Sequence, residues 1–380
     1  MHVTICIPTR DRGISILHTL HSLLASSYAD WDVVIVDQSR TDATKRAVHA
    51  LTDGDSRFRY IASTATGSSA ARNLALTQAR GPLIAFTDDD CTVLSDWLER
   101  LVNYFQKYPE SGLIYGAVRA GAHDPRAGFI PDYPITHFRR IRTPLLKWRE
   151  SGIGANMAGT LVVLHAVGGF DEMLGSGGPL HAYLDGDLTY RVLKAGYIVL
   201  NVPDAVVIHQ GFRGWQDGRP MMHRVGIGVG AAYMKHLRLG DLAAVPTFVI
   251  EWLRCISWGR LLTLRPRSGL MRFASYGLGA MLSFRYAIDR RTRMYRVPHM
   301  QREEQPDHRA AVGPIASTMG IQHAALRTFW VYDRAHLLSH AAWSAIPLLM
   351  PLSWICVLLM VAGACFAHRI AYRPLTGIAV

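Results

Sequence analysis

The chain has 380 residues, 49% of them hydrophobic and only 18% charged, which is enough for one large domain or two ordinary ones. Its formal net charge of +12 favours a negatively charged partner. No basic block with interleaved aromatic residues is present, so we expect nucleotide phosphate or anionic lipid and no nucleic acid. The five cysteines form no C-x-x-C pair, which predicts reduced thiols in a cytosolic compartment rather than disulfides or zinc ligands.

Strand and helix patterns alternate along the first third of the chain. Apolar runs that predict strands cover Val3 to Ile7, Trp31 to Val36, Phe58 to Ala62, Leu83 to Thr87 and Leu113 to Tyr115. Segments with helical spacing lie between them, at Ile14 to Leu24, Thr41 to Leu51, Ser68 to Ala79 and Ser95 to Tyr108. Repeated βα units predict an α/β fold with a doubly wound, mostly parallel, Rossmann-like sheet.

The run Asp88-Asp89-Asp90 directly follows one of these predicted strands. Ligands of open α/β sheets bind at the carboxyl ends of strands. Crowded carboxylates repel one another unless a cation lies between them, and Mg²⁺ or Mn²⁺ prefers oxygen ligands and also binds substrate phosphates. The alternative is a solvated acidic turn, and the run by itself does not decide between the two.

Further polar segments are expected near this run if the strand order is the usual one. Asp37 ends the second predicted strand, where it either accepts from a ribose hydroxyl or a base N–H or forms a turn. Gly67 opens a helix with Arg72 one turn in, and a helix start of this kind can hold phosphate. The segment Leu184 to Leu188, with Asp185 and Asp187, opens a later helix.

The chain beyond residue 220 has a different character. His223 to Leu237 and Ala243 to Leu264 are predicted apolar helices, and the second mixes charged residues with tryptophan. This mixture is typical of a helix in a membrane interface, although ordinary packed helices are the alternative. Ala341 to Ala367 contains no charged residue and is long enough to span a bilayer. We therefore predict a domain over 1–220, amphipathic helices over 221–297, and a linker with a hydrophobic helix over 298–380.

Together these motifs resemble the inverting, nucleotide-sugar-dependent glycosyltransferases of family two, which have the GT-A fold. The matching segments occur in family order over residues 1–215. They are Ile5 to Arg12, Val34 to Asp42, Ala71 to Asn73, Ile84 to Asp90, Gly168 to Glu172, and Asp185 to Leu188 followed by Arg191 and Ala195 to Tyr197.

The resemblance implies roles for individual residues. Asp185 would be the general base that takes the proton from the acceptor hydroxyl. The donor would be bound by Pro8, Thr9, Arg10, Asp37, Arg72, Asp88 and Asp89. A Mg²⁺ or Mn²⁺ ion would be held by Asp90 and Asp88, with His209 either a further ligand or a structural residue. The acceptor side would be formed by Asp171, Glu172 and Asp187.

The chain also departs from the family pattern at three places. Leu184 stands where an acid usually precedes the base, and Gln38 stands where a second Asp is common. Gln210 to Trp215 has one residue more than the Gln-x-x-Arg-Trp motif of processive members, which favours single sugar transfer over polymerisation.

The resemblance leads us to expect a metal-dependent hexosyltransferase at the cytoplasmic face of the cell membrane. It would transfer a sugar to a glycan or lipid-linked acceptor in surface polysaccharide or glycolipid synthesis. Two alternatives stay open. Asp88 to Thr92 also fits the D-x-D-x-T loop of haloacid-dehalogenase-like phosphatases, with Asp88 as the nucleophile. The other alternative is a membrane-associated scaffold with a degenerate site.

Overall fold

A computed structural model describes residues 1–149, 152–254 and 266–297 of the chain. The predicted linker and the hydrophobic segment Ala341 to Ala367 lie outside these residues, as does the second half of the predicted helix Ala243 to Leu264. Among the described helices, none is both long enough and apolar enough to cross a membrane.

The elements alternate along the chain much as the sequence pattern predicts. The strands are β1 Val3–Thr9, β2 Trp31–Asp37, β3 Phe58–Ala62, β4 Leu83–Thr87, β5 Cys91–Val93, β6 Ser111–Ala120, β7 Gly128–Phe129, β8 Arg139–Ile141, β9 Asn156–Thr160, β10 Ile198–His209, β11 Arg213–Gly214, β12 Ile288–Asp289 and β13 Met294–Tyr295. The α-helices are α1 Leu17–Leu24, α2 Ala43–Thr52, α3 Ser68–Thr77, α4 Trp97–Lys107, α5 Leu161–Ala166, α6 Leu184–Lys194, α7 Trp215–Arg238, α8 Ala244–Arg254 and α9 Pro266–Ser283. Two 3₁₀ helices cover Gly13–Ile16 and Pro144–Arg149.

The main sheet has the strand order β3-β2-β1-β4-β9-β6-β10-β5, with β8 pairing with β10. The first four strands run parallel, and so do β6 and β10, which confirms the predicted α/β class and largely parallel sheet. Strand β9 runs antiparallel between β4 and β6, and β5 and β8 run antiparallel to β10. The antiparallel direction of these three strands was not predicted, because buried strands of either direction can carry the same apolar pattern.

Side chains of alternating residues enter the cores on the two faces of the sheet. On β1, Ile5 and Ile7 enter one core and Cys6 enters the other. The amide of Asn156 ties the inserted strand β9 to its surroundings: Nδ2 donates to the carbonyls of Ala117 and Ala205, both at 2.9 Å. Its Oδ1 accepts from the fully buried indole N–H of Trp97, also at 2.9 Å. Both polar atoms of this buried side chain thus have hydrogen-bond partners, and these bonds fix the position of α4 and β9 on the sheet.

Helices α7, α8 and α9 pack on the α/β unit through a third core. The expected boundary at residue 220 lies inside α7, whose residues 226–236 are buried. Helix α9 crosses α7 at close range, since a Cβ at Gly230 would lie 2.0 Å from the carbonyl oxygen of Tyr276. Trp252 of α8 is only 4% exposed and stacks on Phe248 and Phe273. This tryptophan therefore lies in the protein core rather than in a membrane interface.

Candidate functional site

A cleft of about 1130 Å³ opens at the carboxyl ends of β1 and β4 and at the start of α6. Most of the residues predicted from the sequence line it: Pro8, Thr9, Arg10, Arg72, Asp88, Asp89, Asp90, Asp185 and His209. The sheet order explains this convergence, since β1 and β4 are adjacent and β5, which directly follows the acidic run, pairs with β10 at His209. The acidic run is thus part of a cleft and not an isolated surface turn.

Each carboxylate of the acidic run is paired with an arginine. Arg72 Nη2 donates to Asp88 Oδ1 at 2.7 Å. Arg12 bridges the other two, with Nε 2.9 Å from Asp89 Oδ1 and Nη2 2.7 Å from Asp90 Oδ2. Burial raises the pKa of Asp89 to about 6, although the charge of Arg12 opposes this. Burial acts the same way on Asp90, but its hydrogen bond to His209 and the charge of Arg12 outweigh it, so the pKa of Asp90 is lowered.

Asp90 and His209 form the part of the cleft that best fits a metal ion. Asp90 Oδ1 lies 3.2 Å from His209 Nε2, and the other ring nitrogen, Nδ1, lies 2.9 Å from the carbonyl oxygen of Pro131. A neutral imidazole that donates through Nδ1 leaves Nε2 free to bind a cation. Cys91 completes a group whose ligand atoms lie within 4.8 Å of one another.

Gly211 leaves space beside the side chains of Asp90 and His209. A Cβ there would lie 2.7 Å from Asp90 Oδ2 and 2.9 Å from His209 Nε2. Burial raises the pKa of Cys91, so it stays a thiol, and hard cations prefer oxygen and imidazole ligands. The residues present therefore fit Mg²⁺ or Mn²⁺ at Asp90 and His209. Asp88, the other predicted ligand, lies outside this group.

Asp185 lies at the N-terminus of α6 and lines the same cleft. Its Oδ2 accepts from the backbone N–H of Gly154 at 3.0 Å, and its Oδ1 accepts from that of Gly186 at 2.8 Å. Burial raises the pKa of Asp185, while these two amides and the charges of Lys147 and Arg72 oppose the rise. A carboxylate that is held in one orientation and has a raised pKa is well suited to accept a proton.

The three residues predicted for the acceptor side do not line the cleft. Asp171 and Asp187 are fully buried, and both lie against Lys235 of α7, whose Nζ is 2.6 Å from Asp171 Oδ2 and 2.7 Å from Asp187 Oδ1. Asp187 Oδ2 also accepts from Arg191 at 2.8 Å. Two carboxylates thus face two fixed cations in a closed cluster. The aspartates of these motifs hold α7 on α6, because burying them requires the cations that these helices supply.

The remaining two predicted residues, Glu172 and Asp37, accept hydrogen bonds from neighbouring residues. Glu172 Oε1 accepts from Asn73 Nδ2 at 2.9 Å. Asp37 is buried and accepts from the hydroxyl of Tyr60 at 2.7 Å and from the N–H of Ser39 at 2.8 Å. Asp37 does not line the cleft, whereas its neighbour in register, Thr9, does. Its bond to the N–H two residues on is that of a turn.

The cleft residues that were given no role from the sequence include Arg12, Lys147, Tyr183 and Glu251. Arg12 belongs to the first family-like segment, so its position was a usable signal. Glu251 bonds to Tyr183, which is 68 residues away in the chain. No local pattern marks such a pairing.

Comparison with known proteins identifies the domain. The family model described as glycosyl transferase family 2 matches residues 4–161. Glycosyltransferase AglE of Haloferax volcanii is 27% identical over 210 residues, which cover 54% of this chain and 66% of that protein. The UDP-Glc:alpha-D-GlcNAc-diphosphoundecaprenol beta-1,3-glucosyltransferase WfgD of Escherichia coli is 32% identical over 142 residues, 37% of this chain and 55% of that one. The chain thus spans less than two thirds of the length of each.

Solved structures support the fold. The mannosyltransferase PcManGT from Pyrobaculum calidifontis, in complex with GDP-Man and Mn²⁺, is similar with a TM-score of 0.50 at 18% identity, over 98% of this chain and 88% of that one. TarS 1–349 of S. aureus, in complex with UDP-GlcNAc, has a TM-score of 0.50 at 14% identity, over 74% and 82%. At this level of identity the similarity concerns the fold alone. Residues 4–161 therefore match the family 2 glycosyltransferase model, and the fold is GT-A.

Proposed function

We propose that the protein is an inverting glycosyltransferase that moves a sugar from a nucleotide-sugar donor to a hydroxyl group of a glycan or lipid-linked acceptor. The observation that carries this proposal is the meeting of three groups in one cleft. These are the arginine-paired acidic run, the Asp90–His209 pair and the carboxylate of Asp185, which two backbone amides hold at the start of α6.

Donor binding is assigned to the end of the cleft formed by β1 and α3. Arg72 lines the cleft, and in the described part of the chain its buried Nε has no hydrogen-bond partner. A buried guanidinium with an unused donor is suited to a diphosphate oxygen. Pro8, Thr9 and Arg10 follow from β1 and would lie against the nucleoside.

Metal binding is assigned to Asp90 and His209, with Asp88 on the donor side of the run. When bound, Mg²⁺ or Mn²⁺ would offset the negative charge that develops on the leaving diphosphate. Asp90 suits this position because its lowered pKa keeps it ionised.

Proton transfer is assigned to Asp185. As the acceptor oxygen forms its bond to the anomeric carbon, the bond to the diphosphate breaks and the hydroxyl proton passes to Asp185. The N–H groups of Gly154 and Gly186 hold the carboxylate during this step. One direct displacement of this kind inverts the configuration at the anomeric carbon.

The acceptor is proposed to be lipid-linked and to be used at the cytoplasmic face of the cell membrane, in surface polysaccharide or glycolipid synthesis. The cleft extends to an apolar wall that includes Met221, Met222 and Val225 of α7, beside Arg272 of α9. An apolar wall beside a cation suits a lipid attached through phosphate. The relative WfgD, which is named for a diphosphoundecaprenol-linked substrate, supports this choice.

Two alternatives have less support. In a haloacid-dehalogenase-like phosphatase Asp88 would be a nucleophile after the first strand, but here it follows β4 and is bonded to Arg72. A scaffold with a degenerate site would not need Asp185 to be held by two amides in an open cleft. Leu184, where an acid was expected, packs into the core beside the sheet.

Nucleotide binding and turnover test the proposal. UDP or GDP should bind the full-length protein more tightly with Mn²⁺, and Asp90→Ala should remove that metal effect. Asp185→Asn should keep nucleotide binding while transfer falls about 10²- to 10⁴-fold, the usual loss for a missing general base. Binding that is equally strong without metal, or unchanged turnover in Asp185→Asn, would overturn the assignment.

A further inference from the structure

Glu251 reaches the cleft from α8, outside the part of the chain that the family model matches. Its carboxylate oxygens lie 3.2 and 3.1 Å from the hydroxyl of Tyr183, and the hydroxyl of Tyr233 donates to Oε1 at 2.7 Å. Lys147 Nζ lies 3.7 Å from the same Oε1 and donates to the Tyr183 hydroxyl at 2.8 Å. One carboxylate thus joins a helix, a 3₁₀ helix and the residue before α6.

Tyr183 connects Glu251 to the helix start that holds Asp185. It adopts a left-handed backbone conformation, with φ at 73°, immediately before the first residues of α6. Its ring lies directly over Gly186, where a Cβ would come within 2.4 Å of the ring carbon Cζ. L-residues rarely hold this conformation unless their surroundings fix them. The hydroxyl contacts of Tyr183 therefore help to set the first turn of α6, in which Asp185 lies.

Lys147 provides a second connection between Glu251 and Asp185, which is electrostatic. The cations that act on Asp185 are Lys147, from the 3₁₀ helix, and Arg72, from α3. Arg72 is paired with Asp88, and Lys147 is paired with Glu251. Among the contacts that the structure describes, the other groups facing Asp185 and this network are neutral: the N–H groups of Gly154 and Gly186, and the hydroxyls of Tyr115, Tyr183 and Tyr233. Glu251 thus places a negative charge beside Lys147.

We propose that Glu251 is a positioning residue for sugar transfer, which holds the first turn of α6 through Tyr183 and limits the positive charge beside Asp185 by pairing with Lys147. This inference rests on the proposed function, in which Asp185 is the base.

Opposite changes of the pH profile follow from the charges. In Glu251→Gln, Lys147 keeps its charge while a nearby negative charge is lost, so the carboxylate form of Asp185 is favoured and the acid limb of kcat moves to lower pH. In Lys147→Met, a cation is lost, so the acid limb moves to higher pH. We expect shifts of about 0.5 pH unit in each direction, together with a lower plateau kcat in Glu251→Gln.

The experiment compares the full-length variants in one assay. Nucleotide release is followed from pH 5 to 9 with Mn²⁺ and the most active member of a panel of UDP- and GDP-sugars. The acceptor is farnesyl-diphosphate-linked N-acetylglucosamine. Binding of UDP and GDP is measured in parallel and should stay within about twofold of the wild type.

Asp241→Asn is the matched control. Asp241 is also buried and paired with a lysine, Lys194, at 3.0 Å, but it does not line the cleft. Its loss should lower the thermal midpoint without moving the pH profile. Tyr183→Phe is a second variant in case Glu251→Gln does not fold. It keeps the ring over Gly186 and cuts the hydroxyl link, so kcat should fall while the acid limb stays in place.

Shifts in the same direction, no shift in either charge variant, or a shift in Asp241→Asn would overturn the role of Glu251. Failure of the proposed function looks different. The wild-type protein would then show no acceptor-stimulated release, and Asp185→Asn would change nothing.

Discussion

Two groups of aspartates in this molecule look alike in the sequence and differ in the fold. Asp88, Asp89 and Asp90 line an open cleft and are paired with arginines that themselves line it. Asp171 and Asp187 are closed off completely, and their cations come from the buried parts of α6 and α7. The two groups differ in the cation that pairs with the aspartates. In the first group a ligand can reach the arginines and replace them, whereas in the second the cation is part of the core. An acidic motif therefore marks a site only when solvent reaches its partners.

The largest expected effect concerns the closed cluster. Lys235→Met leaves Asp171 and Asp187 without a cation that lies 2.6 and 2.7 Å away. Breaking a buried pair from one side costs about 3–5 kcal/mol, because an uncompensated charge remains. Urea unfolding should show this loss. A change below about 1 kcal/mol would mean that the cluster is hydrated like the cleft, and the comparison would fail.

Acid should weaken the closed cluster, in which His236 Nε2 of α7 lies 3.1 Å from Asp187 Oδ1. Burial lowers the pKa of His236 from 6.5 to about 4, so between these values the unfolded chain holds a proton that the folded chain does not. The contribution of His236 to the free energy of unfolding is therefore fully present above pH 6.5. It is lost as the pH falls toward 4, by about 2–3 kcal/mol. The lowered pKa of Asp187 adds a further loss at still lower pH.

Unfolding experiments at pH 7, 5 and 4 measure this slope. In His236→Gln the slope between pH 6.5 and 4 should flatten. An equally steep slope in that variant would assign the loss to other groups.

A smaller effect is expected in the open cleft. Gly211→Ala places a Cβ within 3 Å of the ligand atoms of Asp90 and His209. We expect about tenfold weaker Mn²⁺-dependent nucleotide binding, or roughly 1.4 kcal/mol, because one of these side chains has to move. Metal-free nucleotide binding serves as the control and should not change. Unchanged Mn²⁺ dependence would move the metal away from this pair.

The smallest effect is expected at Glu172. Its carboxylate accepts a hydrogen bond from Asn73 and lies outside the cleft, so Glu172→Gln should leave the KM for acceptor within about twofold and cost under about 1 kcal/mol of stability. Acceptor kinetics and thermal unfolding check both values. A tenfold rise in acceptor KM alone would restore the role that the sequence motif implied.

Local patterns predicted the part of the fold that short-range periodicity encodes. The apolar runs of β1, β2, β3, β4 and β6 and the acidic run at the end of β4 were identifiable, because each is continuous in the chain. The direction of β9 was not, since its burial resembles that of its parallel neighbours. The resemblance assigned Asp171 and Asp187 to the acceptor side, and their buried role was not identifiable because their partner, Lys235, comes from a helix tens of residues later. Glu251 was missed for the same reason, and Trp252 beside it drew attention to a membrane interface instead.

Helix α3 joins the two aspartate groups through consecutive residues. Arg72 bonds to Asp88 in the cleft, while Asn73 Oδ1 accepts from the N–H of Phe170 at 2.8 Å, next to Asp171. The same amide of Asn73 donates back to the carbonyl of Phe170 at 2.9 Å. Because the two residues are adjacent in one helical turn, a ligand that displaces Arg72 is expected to disturb this pair of bonds as well. We therefore expect the hydrogen-exchange rate of the Phe170 amide to change when a nucleotide binds in the cleft.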